Sequence, residues 1–154
     1  MNSFETVVIG TQTWAKRNYD FGGSYPDSDI ANVAVYGKLY TWAEAQAINY
    51  PGWHLPSRTE CQALITYVGG ETVAGGHLKE AGTTHWSSPN VGADNSSGFT
   101  ALPTEPSGTT SMFWTSTDAG TGGWVIFMDA STDNGDAGTT TDYSTLCYVR
   151  LIKD

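Results

Sequence analysis

Apolar residues in this chain come in short bursts separated by long polar, glycine-rich stretches, and the bursts follow two different periods. Thr6-Val7-Val8-Ile9 is a β-branched run closed by Gly10, which predicts a first strand. From Gly22 to Val33 the chain carries Gly, Ser, Pro, Asp and Asn and reads as a loop. Thr41-Trp42-Ala43-Glu44 and Ser57-Arg58-Thr59-Glu60 each place a hydroxyl three residues before a carboxylate. That spacing lets the two side chains satisfy the orphan amides of a helix start reciprocally, so two helices are predicted. The first is expected to end near Asn49, because Pro51 biases Tyr50 away from helical geometry. In the second, Cys61, Leu64, Ile65 and Val68 share one face, and Gly69-Gly70 stops it.

Regular patterning then fades. Residues 82–111 hold small and polar residues with isolated anchors at Trp86, Phe99 and Leu102, a length of irregular chain that normally marks an anchored or functional loop region. Three strand-like runs follow, Met112–Thr115, Trp124–Met128 and Leu146–Ile152. The last two are joined by Asp129 to Ser144, a polar connection of small residues. This order predicts one α+β domain over 1–154, with two short helices, small antiparallel sheets and extensive irregular loops. The first and last strands are expected to pair, and the loops between the late strands to share one end of the sheet.

Composition changes this picture in two ways. Six Trp, eight Tyr and five Phe supply core volume that the modest aliphatic content leaves short. Acidic residues outnumber basic ones 16 to 7, for a net charge of −9, and no Lys or Arg occurs between Lys79 and Arg150. A surface of that sign repels phosphate backbones and anionic lipid, which disfavours nucleic-acid and membrane-surface roles. The N-terminal residues show no basic start followed by an apolar run, and no stretch approaches the roughly 18 apolar residues of a spanning helix. Neither a leader nor direct membrane insertion is therefore expected.

The reactive side chains do not assemble into a motif. His54, His77 and His85 lack the clustered spacing of metal sites, and His54 reads as a structural hydrogen-bonding residue. Cys61 lies on the apolar face of a helix and Cys147 in a terminal strand with acidic surroundings, neither of which favours a thiolate. The two cysteines are open to two readings, one bridge or two buried thiols. Asp129, Asp133, Asp136 and Asp142 offer oxygen ligands at loose spacing that misses the EF-hand pattern, so a solvated acidic loop is expected rather than a cation site. No catalytic residue, metal or cofactor is predicted.

Six words carry a family resemblance. They are Ile9-Gly10-Thr11-Gln12-Thr13-Trp14, Tyr36-Gly37-Lys38-Leu39-Tyr40-Thr41-Trp42, Gly52-Trp53-His54-Leu55-Pro56-Ser57, Gly98-Phe99-Thr100-Ala101-Leu102-Pro103, Phe113-Trp114-Thr115-Ser116-Thr117 and Tyr148-Val149-Arg150. In this order they resemble the FISUMP family (Fibrobacter succinogenes major paralogous domain) across nearly the whole chain. The resemblance implies a C-type-lectin-like fold, similar to that of formylglycine-generating enzymes and of the variable proteins of diversity-generating retroelements. In those variable proteins the C-terminal stretch is mutated at adenines while the scaffold holds. Family members often carry one Cys before the Gly-Trp-His-Leu-Pro word and another after the final Val-Arg; here Tyr50 and Leu151 stand in those places. Glu105-Pro106-Ser107 only loosely resembles the sugar-binding word of calcium-dependent lectins, and the accompanying Trp-Asn-Asp word is missing. Trp14, Trp42, Trp53 and Trp114 fall in family words and are expected in the core. Between Asp118 and Thr145 only Trp124 and Met128 are beyond the reach of adenine mutagenesis of AAC codons, a test that any loop rich in Gly, Thr and Asp also passes.

The expected function is binding without chemistry, on a diversified C-terminal surface held by a rigid scaffold. Strand alternation sends Val125, Phe127 and Asp129 to the face opposite Trp124, Ile126 and Met128, where an exposed Val and Phe beside acidic loops would make a binding patch. The predicted ligand-binding residues are Asp118, Ala119, Val125, Phe127, Asp129, Thr132, Asp133, Asn134, Asp136, Tyr143 and Thr145. Their Ser/Gly/Thr-rich setting with Tyr143 and Phe127 as anchors has the composition of an adaptable paratope. The partner is a protein or other surface ligand. The alternative is an invariant structural or adhesion module of a cell surface or virion.

Overall fold

A tight hairpin fixes the frame. In the computed structural model, which describes residues 4–25, 30–104 and 107–154, strand β1 (Thr6–Ile9) turns at Gly10-Thr11 into β2 (Gln12–Ala15). Gly10 sits at φ 65°, a conformation that glycine adopts freely. β2 pairs in turn with β7 (Ile152–Lys153), and β7 with β3 (Trp53–His54), giving the order β1-β2-β7-β3. The expected direct pairing of first and last strands is therefore corrected. β2, unread in the sequence, intervenes because a hairpin neighbour closes the shortest loop.

Both capping boxes form as predicted, at Thr41 with Glu44 and at Ser57 with Glu60. They open α2 (Trp42–Gln46), which closes sooner than expected, and α3 (Arg58–Tyr67), whose Cys61, Leu64 and Ile65 are buried. A one-turn α1 (Val33–Tyr36) begins where the loop was predicted to end. The short α4 (Ala74–Leu78) is absent from the sequence reading, since two adjacent glycines argue against a helix.

The second sheet is the meander β4 (Thr110–Asp118), β5 (Gly123–Asp129) and β6 (Gly135–Thr141). β6 occupies the middle of the segment read as a polar connection. Its residues, GDAGTTT, carry almost no intrinsic strand signal, and the ladder with β5 supplies what propensity lacks. Conversely, most of Leu146–Ile152 is not a ladder strand. Cys147 bridges Tyr40, Tyr148 bridges Phe113, and only Ile152 and Lys153 enter a sheet.

This meander separates two apolar clusters. On one side Phe113, Ile126 and Met128 meet Cys61, Leu64 and Ile65 of α3, together with Trp14, Trp86 and Phe99. On the other, Trp114 and Val125 meet Phe4, Tyr19, Tyr40, Tyr50 and Cys147. Trp14, Trp86 and Trp114 are fully buried, whereas Trp42 and Trp53 are only half-buried against the second cluster. The cysteines are free, and each is buried in a different cluster. Burial holds both thiols far above the usual range, so neither is poised as a nucleophile.

Two cations lie inside the protein. Arg150 donates from Nε and Nη2 to Asn18 Oδ1 and from its two terminal nitrogens to the carbonyls of Ala15, Phe99 and Thr100. Its guanidinium also stacks 4.5 Å from the Phe99 ring centroid. Lys79 donates to the carbonyls of Val91, Asp129 and Thr132 at 2.8–3.0 Å. Burial draws Lys79 down to about 8, against the opposing charges of Asp129 and Asp133.

Candidate functional site

Successive turns of an antiparallel meander lie at opposite ends of the sheet, so the expectation that the late loops share one end fails. The seven residues of β5 set those ends roughly 20 Å apart at ~3.3 Å per residue. The eleven predicted residues divide accordingly.

At the β4–β5 end stand Asp118, Ala119, Tyr143 and Thr145. Asp118 is exposed, and its Oδ1 accepts from the Tyr143 hydroxyl at 2.5 Å and the Gly120 amide at 2.8 Å. Those bonds hold its carboxyl below the usual range and raise the Tyr143 phenol above its own. The Tyr143 ring packs 5.2 Å from Trp42, whose backbone amide donates to the Tyr143 carbonyl. Thr145 shares a hydroxyl contact of 2.9 Å with Thr141, and Ala119 closes the turn on Gly122. Helix α2 thus positions this end through Trp42.

At the sheet's centre the register decides what is accessible. Directly opposed residues of neighbouring strands share a face, which aligns Met112, Phe127 and Asp136. Phe127 and Met112 are half-buried, and Asp136 stands beside them. Val125, on the same face, is completely buried with Trp114. The predicted exposed Val125–Phe127 patch is corrected on that point: the second cluster covers Val125, which therefore makes no surface contact. An extra residue in β6 between Asp136 and Thr139 restores the alignment, so that Thr139 and Thr141 continue the open face. Met112, Thr139, Thr141 and Trp42 join the site although the sequence did not mark them. Only the register, with its bulge, could have found the first three.

Asp129, Thr132, Asp133 and Asn134 sit at the far end, where the β5–β6 turn is fastened to α4. Besides the Lys79 bonds, Asp133 O accepts from Gly76 N at 3.0 Å and Glu71 O from Gly135 N at 2.9 Å. Asp129 Oδ1 is engaged by Ser131, and Thr132 Oγ1 by Asn134 N. These residues are scaffold as much as surface. Glu105 and Pro106 of the lectin-like word lie outside the described residues.

Each histidine is held by one or two carboxylates. His85 pairs with Glu80 at 2.8 Å. Asp94 and Ser96 both reach Nδ1 of His77, whereas a Ser–His–Asp relay needs the imidazole to bridge them through its two nitrogens. His54 lies between Asp154 at Nδ1 (2.7 Å) and Glu60 at Nε2 (3.0 Å). No group of three or more His, Cys, Asp or Glu among the described residues is arranged to hold a metal ion. No described helix is long and apolar enough to cross a membrane.

His54 gives a pH prediction. Partial burial disfavours its charged form, but the bonds to Asp154 and Glu60 and their charges outweigh this and raise its pKa. A raised folded-state value means the stabilisation is complete below the ordinary 6.5 and is lost as pH rises through the folded value. In an NMR titration the His54 ring protons should show a midpoint above 6.5, and E60Q and D154N should each lower it. A midpoint at or below 6.5 in the parent protein contradicts the assignment.

Among known proteins, one family model, described as Fibrobacter succinogenes major domain, matches residues 7–153. No curated protein and no solved structure matches the chain.

Proposed function

This chain belongs to the Fibrobacter succinogenes major domain family, and from that premise we propose that it is a non-catalytic recognition domain of C-type-lectin-like fold. Its contact surface is the open face of the meander, running from Met112, Phe127 and Asp136 through Thr139 and Thr141 to Thr145, Tyr143 and Asp118. The observation that carries this reading is the alignment of two half-buried apolar side chains with a carboxylate, continued by a row of hydroxyls, beside the part of that face that the second cluster covers at Trp114 and Val125. Such a surface combines apolar contact area with hydrogen-bonding groups, as binding patches do. Its anchors rest on aromatic packing, so side chains there can vary without loosening the framework. The ligand is a protein or another surface molecule. Diversification of this face by a retroelement is the mechanism that would use it most fully; the competing reading is an invariant adhesion or structural module.

Two libraries test the assignment. Randomising Asp118, Asp136, Thr139 and Thr145 together should leave most members folded, since substitutions at surface positions usually change stability by no more than about 0.5 kcal/mol each. Selection from that library against unrelated proteins should yield binders. Randomising Asp129, Thr132, Asp133 and Asn134 should lose many members to unfolding. Folded survivors in equal proportion, or binders from the second library alone, would overturn the placement. In the flanking DNA, a near-copy of codons 112–150 differing only at adenines separates diversification from the invariant module.

A further inference from the structure

Away from the meander face, the outer edge of the first sheet is open. In its hairpin Val7 stands opposite Trp14 and Ile9 opposite Gln12, and the Lys16 amide donates to the Glu5 carbonyl at 2.8 Å. Hydrogen-bonded and non-hydrogen-bonded pairs alternate along an antiparallel ladder, so Glu5, Val7 and Ile9 turn their backbone groups towards β2. Ala15 gives the same phase from the partner strand, since its amide donates to the Leu151 carbonyl beside β7 rather than to Thr6. The N–H and C=O groups of Thr6 and Val8 therefore point outward. None of these four groups meets a partner among the described residues.

The other outer edges are protected. Tyr148 donates to the Met112 carbonyl at 3.0 Å and accepts from the Trp114 amide at 2.9 Å, which covers β4. On β6 the Ala137 carbonyl takes Arg58 Nε at 2.9 Å, and Asp136 contributes a charge. β3 is only two residues long. Cover, charge, bulges and very short length are the means by which edges are kept from pairing with foreign strands. β1 uses none of them. Its residues, Thr-Val-Val-Ile, are uncharged and all β-branched, its register is unbroken, and Val8 is 67% exposed.

Space lies beside this edge. A cleft of about 420 Å³ is lined by Val8, Ile9, Tyr67, Val68, His77 and Ser97 among others. Tyr67, 66% exposed, stands so close over the Gly10 turn that a Cβ on Gly10 would lie 2.9 Å from its ring. It gives the turn end of the edge an apolar wall. The lining holds no Lys or Arg, and the Asp94 carboxylate stands on His77 with its side chain 51% exposed.

We infer that β1 is a docking edge for an extended segment of a basic partner protein, which adds as a fifth strand outside β1 and sets an apolar side chain against Val8 and Tyr67. A sheet edge recognises an extended backbone through its alternate N–H and C=O groups, and the side chains beside it decide which sequence fits. The net charge of −9 and a cleft without Lys or Arg favour a segment whose apolar residues are flanked by Lys or Arg. The same charge opposes a second copy of this chain, whose β1 would bring another −9 to the edge.

The end-blocked pentapeptide Lys-Thr-Val-Val-Lys, titrated into the intact chain by NMR, tests this. Binding should be saturable with a Kd of about 1 mM, and the Thr6 and Val8 amide protons should exchange with solvent severalfold more slowly in the complex. N-methylating one alternate set of peptide amides should abolish binding while methylating the other set is tolerated, because a strand is read along one edge only. The Glu-Thr-Val-Val-Glu peptide should bind at least about tenfold more weakly. V8P removes an outward N–H without touching a ladder bond, and V8K puts a charge on the edge. Both should weaken binding severalfold, V8K with the unfolding midpoint unchanged, so the test stands even if V8P fails to fold. Equal binding of the Lys and Glu peptides, tolerance of methylation on both sets, binding undiminished by V8K, or no saturable shift up to ~10 mM peptide overturns the inference. So does a concentration-dependent dimer of the parent chain that V8K dissociates, which would give the edge to a second copy.

Discussion

Replacing Arg150 by Ala should destabilise the protein by about 4 kcal/mol, since it strips partners from several buried acceptors, each worth ~1 kcal/mol or more. The acceptors are Asn18 Oδ1 and the carbonyls of Ala15, Phe99 and Thr100, which belong to two segments of chain far apart in sequence. Among the described residues no carboxylate touches the guanidinium, so this is a cation solvated by carbonyls and one side-chain amide rather than an ion pair. Burial alone pulls its pKa down to about 9, and the group still carries its charge at neutral pH. R150K should recover little, because an ammonium is a point charge and cannot fork to carbonyls on several sides. For a chain of this length the expected loss corresponds to a fall in Tm of roughly 8–16 °C. Urea denaturation of R150A, R150K, N18A and the R150A/N18A double variant checks it. The double variant should cost clearly less than the sum of the singles, as coupled partners do. An R150A midpoint within about 1 kcal/mol of the parent would remove Arg150 from the centre of the framework.

Arg150 also marks where sequence reasoning stopped. The word Tyr148-Val149-Arg150 was legible as a family signature, but nothing in the pattern says that an arginine beside a terminal strand points inward. Its partners are as many as 135 residues away in sequence. Signals that depend on neighbours a few residues apart came through well: the capping boxes at Thr41 and Ser57, the buried stripe of α3 and the strand Thr6–Ile9. Elements with weak local propensity did not, because tertiary contacts create them. β6 is a strand by virtue of β5, and α4 is a helix by virtue of the turn it packs against.

The fold brings only some of the proposed contact residues together. Asp118, Tyr143 and Thr145 gather at one end, and Phe127 and Asp136 lie on the open face. Val125 fails because period-2 alternation gives the face but not what covers it. Asp129 to Asn134 fail as a free loop because a polar, small-residue composition describes a mobile surface loop and a backbone-packed turn equally well.

That last distinction can be forced into the open with one methyl group. Gly75 to Ala should destabilise the protein by about 3 kcal/mol, the upper range for overpacking. The usual expectation has the opposite sign, since Ala in a helix is favoured over Gly by ~1 kcal/mol. Gly75 has no need of a left-handed conformation; its constraint is space. A Cβ built there meets the Asn134 carbonyl oxygen at 2.0 Å, and one on Gly135 meets the Gly75 amide nitrogen at 2.6 Å. Both obstacles are backbone, and the turn that carries them is held by the Lys79 ammonium and by the Gly76 amide on Asp133, so neither can swing aside. Gly138 is the internal control. It is exposed on β6, and a Cβ there finds its nearest neighbours at 3.8 and 3.9 Å, ordinary contact distances. Gly138 to Ala should therefore be neutral or stabilising by up to ~0.5 kcal/mol, since glycine weakens strand interiors. Paired denaturation curves decide the matter: the same added methyl should have opposite consequences at two glycines in the framework of one sheet. If both variants match the parent, the β5–β6 turn is not held by this packing, and Asp129 to Asn134 count as surface alone rather than as scaffold as well.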